Sequence, residues 1–179
     1  MAEKIQFDRT ILGWIAKTPA EAHPSTTPAA NYMPPAQGYA VAMVRPGDDL
    51  SDLEAAMCEV MPGARVVWID APDSGEDPER HLGFINSLLS FAGQPDVSGM
   101  ELEQIQPTLP ERLYPLVDFL VVNHAERLPL ASLHALRRYR SMPPTVLISY
   151  DTSLFGTLSR DLLLMRNVYF FQSEAGPAY

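Results

Sequence analysis

Apolar positions along this chain follow two rhythms in alternation. Tyr39–Val44, Ala64–Ile69, Asp118–Val122, Val146–Ser149 and Val168–Phe171 are short, nearly unbroken apolar runs bounded by turn residues, the pattern of strands buried on both faces. Between them the spacing changes to that of helices. Asp48–Met61 places Leu50, Leu53, Ala56, Met57 and Val60 on one face, and Glu76–Phe91 carries Pro78 in its first turn, where a missing N–H costs little. Leu130–Tyr139 and Leu154–Met165 predict two more helices. Ahead of the first strand, Phe7, Ile11, Leu12, Trp14 and Ile15 fall near helical spacing and predict a short amphipathic helix over Phe7–Lys17. Thr18–Gly38, rich in Pro, Ala, Ser and Thr, reads as an extended arm, and Gly93–Pro110 as a Gly- and Pro-containing loop.

Buried strands separated by helices imply a mostly parallel sheet covered on both faces. Right-handed crossovers then give an α/β, three-layer, doubly wound domain. The expected organisation is an N-terminal helix and Pro-rich arm over 1–38 and the α/β domain over 39–179. At 179 residues, 46% hydrophobic and 20% charged, the chain is long enough for one well-filled core. A net charge of −9 argues against a broad basic face that wraps nucleic acid. The single cysteine, Cys58, has no internal disulfide partner. With neither an early basic-then-apolar segment nor a membrane-length apolar run, the expectation is a cytoplasmic protein that does not engage a membrane.

Three places in the chain carry a more specific signal than the alternation. The first is Val66-Val67-Trp68-Ile69-Asp70-Ala71-Pro72, followed by Asp77-Pro78-Glu79-Arg80 and a helix ending Phe91-Ala92-Gly93-Gln94-Pro95. The second is the strand Asp118–Val122 with its sequel Asn123-His124-Ala125-Glu126-Arg127-Leu128. The third is Thr145-Val146-Leu147-Ile148-Ser149, then a helix and Arg166 before the last strand. Together they resemble an AAA+ core of the P-loop NTPase type, and within it the TniB/TnsC-type transposition ATPases, over most of residues 32–171. The resemblance implies a five-stranded sheet of order 5-1-4-3-2. Eight residues follow Phe171, so the expected domain has no helical C-terminal lid.

The turns at the C-terminal ends of the strands, where open α/β sheets bind ligands, depart from the ATPase pattern. A P-loop needs glycines that let backbone N–H groups reach the phosphates, a Lys that neutralises them and a Ser or Thr for Mg²⁺. The corresponding turn reads Arg45-Pro46-Gly47-Asp48-Asp49-Leu50-Ser51-Asp52, with Arg45 and Leu50 at the glycine positions, Ser51 for Lys and Asp52 for Ser/Thr. Asp48 and Asp49 would confront a triphosphate at a cost on the order of several kcal/mol. The same two carboxylates suit a helix N-terminus, where they cap N–H groups and complement the macrodipole. At the end of the third strand Asn123 and His124 replace the Asp-Glu pair that would organise Mg²⁺ and polarise water. Asn123 lacks the charge. His124 has the chemistry of a base but no phosphate to act on, and reads first as a hydrogen-bonded structural residue.

Other candidates are weighed in the same way. Arg160 and Arg166 match, by the resemblance, the region of inter-subunit arginines, although Arg166 would also complement its own helix C-terminus. Arg137, Arg138 and Arg140 could contact phosphate as a weak DNA-binding patch or complement theirs. Asp48, Asp70, Asn123 and Asp151 could converge as the Mg²⁺ site of a hydrolase or phosphotransfer enzyme. The four histidines and Cys58 show no metal-ligand spacing. The expectation is therefore a pseudo-ATPase without catalytic residues, cofactor or metal. It would act as a regulatory or interaction subunit linked to DNA transposition or another mobile-element process, meeting a protein partner or further copies of itself through Ile11–Pro35 and the Arg166 side, and nucleic acid only indirectly.

Overall fold

The structure, a computed structural model, describes residues 4–16, 39–91, 93, 104, 113, 116–138, 143–151, 153 and 169–172. In chain order the elements are α1 (Arg9–Ala16), β1 (Tyr39–Met43), α2 (Ser51–Val60), β2 (Val66–Asp70), α3 (Asp77–Phe91), β3 (Phe119–Asn123), a 3-10 turn (Ala125–Arg127), α4 (Leu130–Arg138), β4 (Thr145–Ser149) and β5 (Tyr169–Gln172). The strands form one sheet in the order β2-β3-β4-β1-β5, and every neighbouring pair is parallel. The α/β class read from the alternation is the class observed. The predicted arm, the Leu154–Met165 helix and most of the Gly93–Pro110 loop lie outside the described residues.

Successive residues of each strand point to opposite faces, and here both faces are apolar. Val41, Leu120, Val122 and Leu147 pack under Phe84, Ile85, Leu88 and Leu89 of α3 and Leu133 and Leu136 of α4. Ala40, Ala42, Phe119, Val121, Val146 and Ile148 face the other way, toward Leu12 and Ile15 of α1 and Leu53, Ala56 and Met57 of α2. The small β1 alanines leave volume that these larger side chains fill. Helices on both sides of a parallel sheet make three layers. At the sheet's lower end the Arg65 guanidinium pairs with both oxygens of Asp118 at 2.8 and 3.0 Å, fixing where β2 and β3 begin.

The N-terminal segment departs from its expected helical start. Phe7 lies before α1, in an extended stretch where Ile5 and Phe7 point inward and Gln6 and Asp8 outward. The stretch is tied to the β1–α2 connection by the Ile5 N–H to the Asp49 carbonyl at 3.2 Å. Asp8 then caps α1, its Oδ1 accepting the Thr10 N–H at 2.7 Å. Asp52 accepts the Phe7 N–H at 2.8 Å and takes the Arg9 guanidinium on both oxygens, at 2.7 and 2.8 Å. Residues 4–16 are thus a strap across α2, and Leu12 and Ile15, within the Ile11–Pro35 stretch expected to meet a partner, are buried in the domain's own core.

The strap makes part of the stability acid-sensitive. The Arg9 hydrogen bonds, then the Phe7 N–H, hold the Asp52 carboxyl down at about 2. Asp49 and Asp118 are also held below the ordinary carboxylate range, by Ser51 and by Arg65 respectively. A carboxyl whose folded pKa lies below its unfolded one stabilises fully above about pH 4 and progressively less as pH falls toward 2. Asp52→Ala should lower the melting temperature near neutral pH and shrink the further loss between about pH 5 and pH 2.5, read by circular dichroism. An unchanged acid slope would show that this pair does not hold the strap.

Candidate functional site

The C-terminal ends of β1, β2, β3 and β4 meet at one edge of the sheet, and the sequence-predicted site residues divide around it. The β1–α2 connection turns sharply at Arg45-Pro46-Gly47-Asp48. Pro46 supplies a fixed φ and Gly47 has φ +93°, the demands of a type II turn at its two central positions. A Cβ at Gly47 would meet nothing within 4 Å, so glycine is needed there for its backbone angle rather than for space. The turn is closed twice over, by the Asp48 N–H to the Arg45 carbonyl at 3.1 Å and by Asp48 Oδ2 accepting the Arg45 N–H at 2.7 Å.

This corrects the reading of Asp48 and Asp49 as residues of the helix. The helix begins at Ser51, and Leu50 stands at its N-cap without a side-chain hydrogen bond. Asp49 does reach one terminal donor, the Ser51 N–H, at 2.8 Å. Asp48 instead folds back on the turn. A local acceptor two or three residues away competes with helix formation, and here it delays the helix start by three residues relative to the expected Asp48. Asp52, which the sequence resemblance set at the P-loop Ser/Thr position, is engaged by the strap. Arg45 and Ser51 therefore have their N–H groups turned to carboxylates rather than presented to a phosphate.

Across the crevice, β3 runs one residue further than expected, and Asn123 is its last strand residue, level with Asp70 of β2. Asn123 Nδ2 donates to Asp70 Oδ1 at 2.7 Å, while its Oδ1 is buried without a hydrogen-bond partner. An amide fits this place where an acid would not. Asn123→Asp would set two carboxylates side by side, which raises the pKa of one of them. That variant should lose about 1 kcal/mol at neutral pH, a figure kept small because the pair reaches solvent, and regain it as the pH is lowered toward 5. Urea melts at the two pH values check this; equal losses at both would rule out the charge pair as the cause.

His124 follows with φ 53° and ψ 42°, the left-handed region that few non-glycine residues adopt. This backbone reversal carries the chain into the 3-10 turn and brings Glu126 back under the end of β4. Glu126 is a hub. Its Oε1 lies 3.1 Å from His124 Nδ1, and its Oε2 accepts the Tyr150 N–H at 3.3 Å and stands 3.2 Å from Ser149 Oγ. The Ser149 hydroxyl also lies 2.8 Å from the Asp151 carbonyl, two acceptors for one proton. The Tyr150 ring rests on the His124 ring, centroids 4.6 Å apart and tilted by 33°.

Tyr150 gathers the site. Burial pushes its phenol upward from the usual range, and the negative charges of Glu126, Asp70 and Asp48 push it further in the same direction. One side chain therefore feels carboxylates contributed by β2, by the 3-10 turn and by the β1–α2 connection. Chemically this edge holds an aromatic stack, a hydrogen-bonded histidine and several acids. Asp151 takes part mainly through its backbone and by accepting the Ser153 N–H at 2.7 Å. Among the described residues no group of three or more His, Cys, Asp or Glu side chains is arranged to hold a metal ion.

Sequence reasoning missed Arg9, Tyr150 and the hub role of Glu126. Tyr150 was within reach, since it directly follows a strand whose C-terminal end faces the crevice. Glu126 was not, because its reach depends on the left-handed turn at His124. Arg160 and Arg166 lie outside the described residues, as does Arg140, while Arg137 and Arg138 are the last two residues of α4. No described helix is long and apolar enough to cross a membrane.

No protein-family model matches the chain, and no curated protein sequence does. Solved structures do match in shape. A chain in the structure of Drosophila ORC bound to DNA aligns with TM-score 0.51 at 12% identity, over 79% of this chain and 83% of that one. A chain in the structure of Drosophila ORC bound to AT-rich DNA and Cdc6 aligns with TM-score 0.52 at 12% identity, and one from the GC-rich complex with 0.51 at 12%. In those two the alignment covers 76% of this chain and about half of the other, 48% and 49%. The likeness is one of fold: the domain shares its α/β architecture with these chains.

Proposed function

We propose that this protein is a non-catalytic, AAA+-like subunit that acts by binding other proteins or further copies of itself. The observation that carries this reading is the closed Arg45–Asp48 turn, with Asp48 bonded to the backbone N–H at its start. A phosphate-binding loop works by pointing unpaired N–H groups at an anion. Here Arg45, Asp48 and Ser51 have theirs engaged internally, and Asp48, Asp70 and Glu126 surround Tyr150 with negative charge. Asn123 and His124 support the same reading from the opposite wall, each bonded to a neighbouring carboxylate. Gly47 then serves the turn and Asp52 the strap. The structural neighbours, chains in structures of ORC bound to DNA and in two cases also to Cdc6, support work within an assembly. The sequence resemblance adds a link to transposition or another mobile-element process, with Arg160 and Arg166 as inter-subunit arginines and DNA met indirectly, and the lone Cys58 adds a cytoplasmic setting.

The test is nucleotide binding and turnover. A ligand at a hundred times its dissociation constant stabilises a protein by about 2.7 kcal/mol, which a melting curve detects easily. The purified chain should show no shift with about 1 mM ATP or ADP and Mg²⁺, and no phosphate release. Turnover that Asn123→Ala or His124→Ala abolishes would overturn the proposal.

A further inference from the structure

We infer that His81 and Ser132 form an acid-sensitive latch that holds the 3-10 turn and α4 against α3, and with them the His124–Glu126 wall of the crevice. His81 Nδ1 lies 2.8 Å from Ser132 Oγ, and the two residues are 1% and 0% exposed. The preceding residue, Arg80, donates from Nη1 to the Arg127 carbonyl at 2.8 Å. Two consecutive α3 residues thus grip the chain on both sides of Leu128–Ala131. Between the grips Leu128 is buried, and Ala125 and Leu133 beside them sit in the same apolar cluster as Phe84 and Leu88 of α3. His124 and Glu126 are carried on the segment held in this way.

The hydrogen bond between the ring and the hydroxyl survives either tautomer of a neutral imidazole, but a protonated ring brings a charge into a place shielded from water. Burial accordingly lowers the basicity of His81 below the ordinary histidine range. The charged and titratable groups on the elements packed around it are Asp77, Glu79 and Arg80 on α3, Glu126 and Arg127 on the 3-10 turn and His134, Arg137 and Arg138 on α4. Once the segment opens and water reaches the ring, protonation stabilises the open form. The sign is fixed: opening is insensitive to pH above about 6.5 and becomes easier below it, by up to about tenfold per pH unit for one proton. This latch does not depend on whether the crevice binds nucleotide.

Amide hydrogen exchange of the full chain tests it. Between about pH 7.5 and 5.5, after correction for intrinsic exchange rates, peptides over residues 124–136 should lose protection by about tenfold while β4 keeps its own. In His81→Asn, whose amide can still meet Ser132 but does not titrate, the pH-dependent loss should vanish. An equal loss in that variant, or none in the unaltered chain, overturns the latch. Should the variant fail to fold, the titration of the His81 ring followed by NMR decides: a ring that takes its proton at or above pH 6.5 overturns the proposal, and one that resists protonation to lower pH upholds it.

Discussion

Phe7→Ala should destabilise the domain by about 3–5 kcal/mol, the range for truncating a buried aromatic side chain. Phe7 is 1% exposed and belongs to the cluster formed by Leu12, Leu53, Met57, Phe119 and Ile148. Removing the ring leaves a cavity bounded by strand and helix side chains that the sheet prevents from collapsing. In a chain of this size the melting temperature should fall on the order of 10 °C, with the unfolding transition still cooperative. Phe7→Leu should lose much less. A Phe7→Ala variant that melts like the original would mean that the strap detaches freely from α2, and that the domain is complete without it.

Glu126→Ala is the second change with a large expected effect, about 2–3 kcal/mol. Its carboxylate, 12% exposed, is the common acceptor for His124, Ser149 and the Tyr150 N–H. Deleting it leaves those groups without that partner and withdraws the support for the left-handed backbone at His124. Glu126→Gln should recover part of the loss, since an amide oxygen can still accept from Tyr150 N–H. Denaturant unfolding of the two variants gives the comparison. If His124→Gly also restores stability to Glu126→Ala, the strained turn accounts for part of the loss; identical stability of Ala and Gln variants would remove the hub from consideration.

The two-sided burial of the strands was legible because parallel strands covered on both faces read as continuous apolar runs, as Phe119–Val122 and Val146–Ile148 do. Helix faces were legible for the same reason, and Leu53, Ala56 and Met57 do face the sheet. What could not be read was every feature that depends on a distant partner. Phe7 looked helical because Ile11 and Trp14 lie at helical spacing from it, whereas the pairing of the strap with Asp49 makes the local period two, with Ile5. Asp52 looked like a relic of a phosphate site because nothing in its own neighbourhood announces Arg9. Asp48 was ambiguous in a different way: a cap and a turn closure use the same side chain, and Pro46-Gly47 decided the matter in favour of the turn.

The order of the strands has a consequence for how the protein is made. β1 precedes the other described strands, yet both of its neighbours lie far along the chain: Tyr39 pairs with Thr145, and Ala40 with Tyr169. β2 cannot serve as a substitute, because it pairs with β3. While β2 and β3 can join as soon as Asn123 is available, the apolar run of β1 must wait for the chain that forms β4. Such long-range parallel pairing folds slowly and leaves an apolar strand unpaired in the meantime. On a ribosome, the interval between Met43 and Ser149 is therefore one in which the apolar run of β1 is synthesised but lacks both partner strands.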